Sequence, residues 1–315
     1  MPANLPPQYF DAEKKFRLAK NASDKIAALE EMLAIMPKHK GTDHLRADLR
    51  RKIARLTQAA EKKAATQRAS MLIEKEGAAQ VAVVGLPNAG KSQLVSSVTN
   101  ASPTVAEYPL TTHSATPGMM VFENIQIQLI DTPPLTEQSI DWWLPHMLRR
   151  ADALVIVVDL GDAPLSQIEA VFAELENRKV AALGSEVKTL IVGNKLDLAN
   201  AGENYSALKN KYQGQLPVIA VSAREGVGLE ELKRAIYRVL DIIRVYTKTP
   251  GQRPDLTDPI VLEQGSTVAD AAASVHKDFA AKLRYARIWG SGKHEGIMAK
   301  RNHVLQDGDI IELHL

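Results

Sequence analysis

The apolar, β-branched run Gln80-Val81-Ala82-Val83-Val84-Gly85 passes directly into Gly85-Leu86-Pro87-Asn88-Ala89-Gly90-Lys91-Ser92. That passage constrains the fold more than anything else in the chain. The apolar run reads as a buried strand. The stretch after it fits G-x-x-x-x-G-K-[ST], in which glycines let successive N–H groups curl round an anion without Cβ clashes. Ser92 to Val98 is predicted as a helix whose N-terminus faces that anion. Lys91 is placed to neutralise β- and γ-phosphates, and the Ser92 hydroxyl to hold Mg²⁺. Asn88, Ala89, Gly90, Lys91, Ser92 and Gln93 are the candidate phosphate-binding residues. A chance glycine turn would read the same in isolation, so the downstream motifs decide.

A second strand is predicted over Val187–Gly193, with Asn194-Lys195-Leu196-Asp197 at its C-terminal end. Open parallel α/β sheets bind ligands at that edge. A carboxylate there can accept from both N1–H and the N2 amino group of guanine, whereas adenine would leave it unpaired. Leu216–Val221 reads as a further strand, delivering Ser222, Ala223 and Arg224, with backbone N–H groups available to guanine O6. The base-reading candidates are therefore Asn194, Lys195, Asp197, Ser222, Ala223 and Arg224. An ordinary polar loop explains Asn-Lys-Leu-Asp alone but not the ordered series. The nucleotide implied is GTP or GDP.

Ile125–Ile130 is apolar towards its end and delivers Asp131, a candidate for the Mg²⁺ shell. Between the phosphate loop and this strand lies Tyr108-Pro109-Leu110-Thr111-Thr112-His113-Ser114-Ala115-Thr116-Pro117-Gly118. A threonine in such a loop can complete a metal shell only when a γ-phosphate is present. Thr112 is the first choice, as metal ligand and catalytic residue, with Thr111 and Thr116 as rivals. His113 reads as a solvated loop residue.

The chain's net charge of +2 hides an asymmetry. Residues 1–76 carry 16 Lys/Arg and 10 Asp/Glu, residues 77–243 carry 13 and 18, and residues 244–315 carry 10 and 9. The excess is densest from Lys38 to Arg68, an electrostatic footprint for a polyanion if it is more than a solvated helix face. Ile26, Leu29, Leu33 and Met36 form one helical stripe after Ser23, a potential cap, and Leu45, Leu49, Ile53 and Leu56 form another beyond Pro37-Lys38-His39-Lys40-Gly41. A helical hairpin follows. After Arg244 the pattern becomes short strands around one helix carrying Ala271, Val275, Phe279 and Leu283 on one face. Cysteine is absent, which excludes disulfides and thiolate metal sites. The longest apolar runs are strand-length, and no hydrophobic segment opens the chain, so a soluble cytoplasmic protein without a membrane partner is expected.

The Pro-Asn within the phosphate loop, the Tyr108-Pro109-Leu110-Thr111-Thr112 segment and Asn194-Lys195-Leu196-Asp197 resemble the OBG/DRG group of translation-factor-class GTPases. Val245-Tyr246-Thr247-Lys248, Pro254–Pro259, Ser274–Phe279, Tyr285–Gly290 and Val304–Glu312 resemble a TGS domain. The resemblance implies an α/β fold: a helical hairpin arm (1–76), a P-loop GTPase domain with a mostly parallel sheet and helices on both faces (77–243), and a β-grasp TGS domain (244–315). It implies a slow Mg²⁺-dependent GTPase acting with the ribosome or structured RNA, and K⁺ held beside Asn88. The arm and TGS domain would make the RNA contacts, with Lys277, Lys282, Arg284, Arg287, Lys293, Lys300 and Arg301 as candidates and room for a protein partner; DNA is not expected. Two departures stand out. The stretch from Asp131 to Asn194 is too short for the extra domain that DRG proteins insert. The family's Asp-x-Pro-Gly is here Asp131-Thr132-Pro133-Pro134, followed by Leu135 where a glutamine could have oriented water. Proline has no N–H, so the loss of γ-phosphate contact and of rapid hydrolysis is expected. A non-hydrolysing nucleotide sensor and an RNA-binding scaffold are the alternatives.

Overall fold

The computed structural model describes residues 6–19, 22–37, 42–70, 73–99, 115–136, 143–181, 186–290 and 296–314. Thr111, Thr112, His113 and Lys293 lie outside the described residues. The chain divides into two compact units, Met1–Leu72 and Ile73–Leu315.

The first unit contains helices α1 (Pro7–Leu18), α2 (Ala22–Ile35) and α3 (Asp43–Ser70). The two helices of the expected hairpin form. Between them the Thr42 hydroxyl donates to the Pro37 carbonyl at 2.6 Å and Arg46 donates to the Met36 carbonyl at 3.1 Å. Helix α1 was not expected, because five charged residues interrupt any apolar stripe along its twelve positions. It is held by Tyr9 and Ala12, which pack with Leu29, Met32, Met36 and Leu49. Ser23 lies inside α2 rather than capping it. Leu45, assigned to the apolar stripe, is 39% exposed, so the buried face of α3 begins at Leu49. Arg50, Arg51, Lys52 and Arg55 are exposed.

The second unit opens with β1 (Ala79–Val84), α4 (Lys91–Val98), β2 (Thr116–Phe122), β3 (Ile125–Asp131), α5 (Leu144–Arg150) and β4 (Ala153–Asp159). Helix α6 (Pro164–Asn177), β5 (Thr189–Asn194), α7 (Ala201–Tyr212), β6 (Val218–Ala220) and α8 (Leu229–Leu240) complete its first sheet layer. The sheet order is β2-β3-β1-β4-β5-β6, parallel except for the β2–β3 pair. Alternate residues separate the two faces. Val81, Val83, Val155 and Val157 share one cluster with residues of α4 and α8. Their neighbours Ala82, Val84, Leu154 and Ile156 are equally buried, and α6 packs against β4. Burial on both faces explains why the strands read as unbroken apolar runs. The loops carrying Gly85–Ser92, the residues after Asp131, Lys195–Asp197 and Ser222–Arg224 follow the C-terminal ends of β1, β3, β5 and β6.

The second sheet has the order β10-β9-β11-β7-β8, from β7 (Ile242–Thr247), β8 (Ile260–Glu263), β9 (Tyr285–Trp289), β10 (Ile297–Ala299) and β11 (Ile310–His314). Strands β7 and β11 run parallel and the other pairs antiparallel. The single helix expected here is two, α9 (Val268–Val275) and α10 (Lys277–Lys282). His276 between them is extended (φ −168°) and caps α10, its Nδ1 accepting from the Asp278 N–H at 3.1 Å. The break turns Val275 outward to 41% exposure, while Ala271, Ala272 and Leu283 remain in the core.

One residue, Asp241, joins α8 to β7. The tip of the β2–β3 hairpin, Glu123 and Asn124, meets the second sheet at this junction. Arg244 pairs with Glu123 and, at 2.8 Å, with Asp307. The Asn124 amide donates to the Tyr246 hydroxyl at 2.7 Å. Tyr237 stacks on Phe122 with centroids 4.9 Å apart, and its hydroxyl donates to Asp307 at 2.7 Å. Burial, and then Asp307, pushes the Tyr237 phenol up. Burial would raise the Asp307 carboxyl, but the bonds from Arg244 and Tyr237 hold it below the usual carboxylate range.

Candidate nucleotide-binding site

Gly90 occupies the left-handed region (φ 87°) as the residue before α4. A Cβ there would stand 2.3 Å from the Asn194 side-chain nitrogen, so the position needs glycine both for its backbone and for that close approach. Asn88, at φ 63°, is exposed on the loop. Ala89 is buried, Gln93 is exposed on the first turn of α4, and Lys91 is buried with its ammonium 3.2 Å from the carbonyls of Gly85 and Leu86. Burial lowers the Lys91 pKa, against the raising effect of nearby Asp131. A buried cation beside carbonyls and a helix N-terminus awaits an anion.

Asn194, at the end of β5, ties the two motif loops together. Its amide nitrogen donates to the Ala89 carbonyl at 3.1 Å, and its oxygen accepts from the Ala223 N–H at 3.1 Å. Ser97 adds a second tie by donating to the Ala223 carbonyl at 3.0 Å. Ser222 is buried. Its hydroxyl donates to Asp197 at 2.6 Å and accepts from the Glu225 N–H at 3.1 Å. The bond from Ser222 is the main cause holding the Asp197 carboxyl below its ordinary range. Asp197 itself is exposed, ionised and fixed in direction, as a reader of two guanine donors must be. Lys195, in the left-handed region at φ 66°, pairs with Asp159, which stands opposite Asn194 in the β4–β5 register. The Arg224 side chain is 74% exposed and pairs with Glu225 at 3.5 Å, and its charge adds a smaller pull that lowers Asp197.

Sequence reasoning missed Asp159 and Ser97. Asp159 was findable, because it ends a buried strand at the same sheet edge as Asp131 and Asn194. Ser97 carries no such signal.

At the opposite end of the site Asp131 lies across from Val83 and Thr116 in the strand registers. Thr116, a rival metal ligand, is thus part of strand β2 rather than of a loop. Burial raises the Asp131 carboxyl, opposed by a hydrogen bond to Ser92 and by Lys91. Its Oδ1 is buried without a hydrogen-bond partner. A carboxylate oxygen left unsatisfied beside a serine hydroxyl fits a hydrated Mg²⁺. After Asp131, Thr132 donates its N–H to the Val83 carbonyl at 3.3 Å and Leu135 donates its N–H to the Gly85 carbonyl at 3.1 Å. A cavity of about 500 Å³ lies at the other edge of the sheet, between Lys75, Asp152 and Lys188 and the second sheet, away from every motif. Among the described residues no helix is long and apolar enough to cross a membrane.

Residues 80–195 match the family described as a 50S ribosome-binding GTPase, and residues 243–315 match the TGS domain. A GTP-binding protein of Methanocaldococcus jannaschii is 28% identical, with 92% of each chain covered. Ribosome-interacting GTPase 1 of Saccharomyces cerevisiae is 24% identical over 92% of this chain and 98% of its own. Developmentally-regulated G-protein 3 of Arabidopsis thaliana is 27% identical, covering 92% and 97%. These alignments run over 361, 362 and 360 positions, longer than the 315-residue chain, so the relatives carry residues that it lacks. The phosphate loop, the sheet edge carrying Asn194 and Asp197 and the second sheet agree with these matches: the chain carries a GTPase domain followed by a C-terminal TGS domain and is similar to GTP-binding proteins of the OBG/DRG class.

Proposed function

We propose that this protein is a slow, Mg²⁺-dependent GTPase of the cytoplasm that acts with the ribosome or structured RNA in translation or ribosome biogenesis. The observation that carries this reading is the pairing of an assembled guanine-nucleotide edge with a family described as ribosome-binding. The boundaries we assign are an arm over 1–76, a GTPase domain over 77–243 and a TGS domain over 244–315. Lys91 and the loop N–H groups from Asn88 to Ser92 bind the phosphates. Gln93 follows on the helix, and Asn194, Lys195, Asp197, Ser222 and Ala223 bind the base, with Arg224 at its rim. Ser92 and Asp131 hold Mg²⁺, with Thr112 from the preceding loop, and the ion supplies charge stabilisation to the transferring phosphoryl group. Asn88 is the residue for K⁺. The exposed arm residues Arg50, Arg51, Lys52 and Arg55, together with the TGS residues Lys277, Lys282, Arg284, Arg287, Lys300 and Arg301, supply basic surface for RNA. A protein partner at the TGS domain is compatible with these assignments.

Co-sedimentation with ribosomal subunits under GTP, GDP and no nucleotide, with phosphate release measured in parallel, tests the proposal. Subunit binding and stimulated release support it. Nucleotide binding with neither would leave only a guanine-nucleotide sensor.

A further inference from the structure

The segment after Asp131 passes close to the phosphates. The Gly85 carbonyl receives both the Lys91 ammonium, at 3.2 Å, and the Leu135 N–H, at 3.1 Å. The backbone between Asp131 and Thr136 therefore shares an acceptor with the lysine proposed to meet the β- and γ-phosphates. Any N–H it turned towards them would make a charge-assisted bond.

Its N–H groups are all accounted for. Thr132 spends its N–H on the Val83 carbonyl and Leu135 spends its own on Gly85. Pro133 and Pro134 have no N–H and a fixed φ. The segment is also anchored. The Thr132 hydroxyl sits 2.8 Å from the Val83 carbonyl, Leu135 is completely buried, and Arg178 donates to the Thr136 carbonyl at 2.9 Å. At the far end of β3 the hairpin tip is held by Arg244 and Tyr246. A segment that reports a γ-phosphate must gain a bond when the phosphate arrives. Thr132 and Leu135 have no N–H to give without breaking a bond to β1 or to the phosphate loop.

We infer that Pro134 is a specificity-determining residue: it removes the γ-phosphate donor from the segment after Asp131, and the protein binds GDP and GTP with comparable affinity. The inference rests on the GTP-binding reading above and adds the nucleotide state. Any switching then belongs to other segments of the chain. Leucine at 135 cannot replace the donor, because its N–H is bonded and its side chain is locked in the core.

Competition of GDP and a non-hydrolysable GTP analogue against a fluorescent guanine nucleotide tests this in the full chain. The expected ratio of the two dissociation constants in the parent is within about threefold. Pro134→Gly restores an N–H and loosens the loop, whereas Pro134→Ala restores the N–H alone. Both should move the ratio towards the triphosphate, by roughly 10- to 150-fold for a full bond to a charged group, with GDP affinity unchanged as the check on folding. Amide exchange on the parent decides the matter without a variant: Thr132 and Leu135 should be equally protected under GDP and the analogue. A parent that prefers the analogue more than tenfold, a ratio that neither variant moves, or protection that rises with the analogue overturns the inference. A parent that binds neither nucleotide strikes the GTP-binding reading instead.

Discussion

At the base end of the nucleotide site, Asn194 bonds the phosphate loop and the Ala223 loop at once, and Ser222 aims Asp197. At the γ-phosphate end, Asp131 keeps a buried oxygen without a partner, and in the following segment Thr132 and Leu135 give their N–H groups to Val83 and Gly85. The two ends belong to one sheet edge. The bonds at the base end already fix Asn194 and Asp197, so guanine bound there as proposed would need little reorganisation. On the proposed assignment, the γ end is completed by a cation at Asp131 and an anion at Lys91. On that assignment, base choice is built into the fold, while triphosphate choice depends on what the segment after Asp131 can offer.

The comparison breaks most visibly at Asp197. Asp197→Asn keeps the size but replaces one acceptor by a donor facing guanine's N–H groups. From a ceiling of roughly 10⁴–10⁵ for a site built on such bonds, guanine-over-adenine discrimination should fall by about 10³-fold or more. Competition between GTP and ATP reads it directly, and unchanged selectivity would remove Asp197 from the base site.

Lys91→Met tests the phosphate side. Losing a desolvated charge contact to the phosphates should weaken GTP by about 10²- to 10³-fold. The fold should not suffer. Burial lowers the Lys91 pKa, so the protonated amine opposes folding at every pH below both its folded and unfolded values. Its removal should leave the melting temperature at pH 7 unchanged or higher. A variant that melts earlier would make Lys91 structural.

Asn194→Ala sharpens the contrast between the ends. It cuts both joints and leaves the Ala89 carbonyl and the Ala223 N–H unpaired in a buried setting. The expected loss is about 2–4 kcal/mol of stability, seen in denaturant titration. GDP and GTP should weaken together, because the damage is at the base end. A loss confined to GTP would reverse that assignment.

Much of the base end was legible because its residues are contiguous and sit where strands end. Asn194, Asp197 and Ser222 each announce themselves within four residues of an apolar run. Pro134 was legible too, since a missing N–H is covalent chemistry. What the sequence could not show was that Leu135 had already spent its own N–H, because Gly85 lies fifty residues upstream. The clamp on the hairpin tip was invisible for the same reason. Arg244 meets Glu123 across 121 positions and Asp307 across 63, and no local period marks either. Helix α1 and the break at His276 were missed because a charged surface helix and a helix interruption leave weak periodic signals. Thr112, the first choice for completing a metal shell, lies outside the described residues.

The smallest expected effect concerns the far anchor of the γ end. Strand β3 runs from the Asn124 tip to Asp131, so Arg244 holds the strand that delivers the carboxylate proposed for the metal. Arg244→Ala should cost about 1–3 kcal/mol, since Asp307 keeps its bond from Tyr237 and is partly solvated. It should loosen Asp131 and its neighbours in amide exchange while leaving Asn194 and Ala223 protected. Acid supplies an independent reading. The folded Asp307 pKa is depressed, so its contribution is present above the unfolded value and lost as pH falls through the folded one, from about pH 4 downward. Glu312, held low first by Lys248 at 3.0 Å and then by His314, behaves the same way inside the TGS sheet and does not touch the clamp. In the Arg244→Ala variant the acid loss due to Asp307 should shrink while that due to Glu312 remains. Stability measured from pH 6 to pH 3 should therefore fall less steeply than in the parent, and a slope identical to the parent's would mean that Arg244 does not govern Asp307.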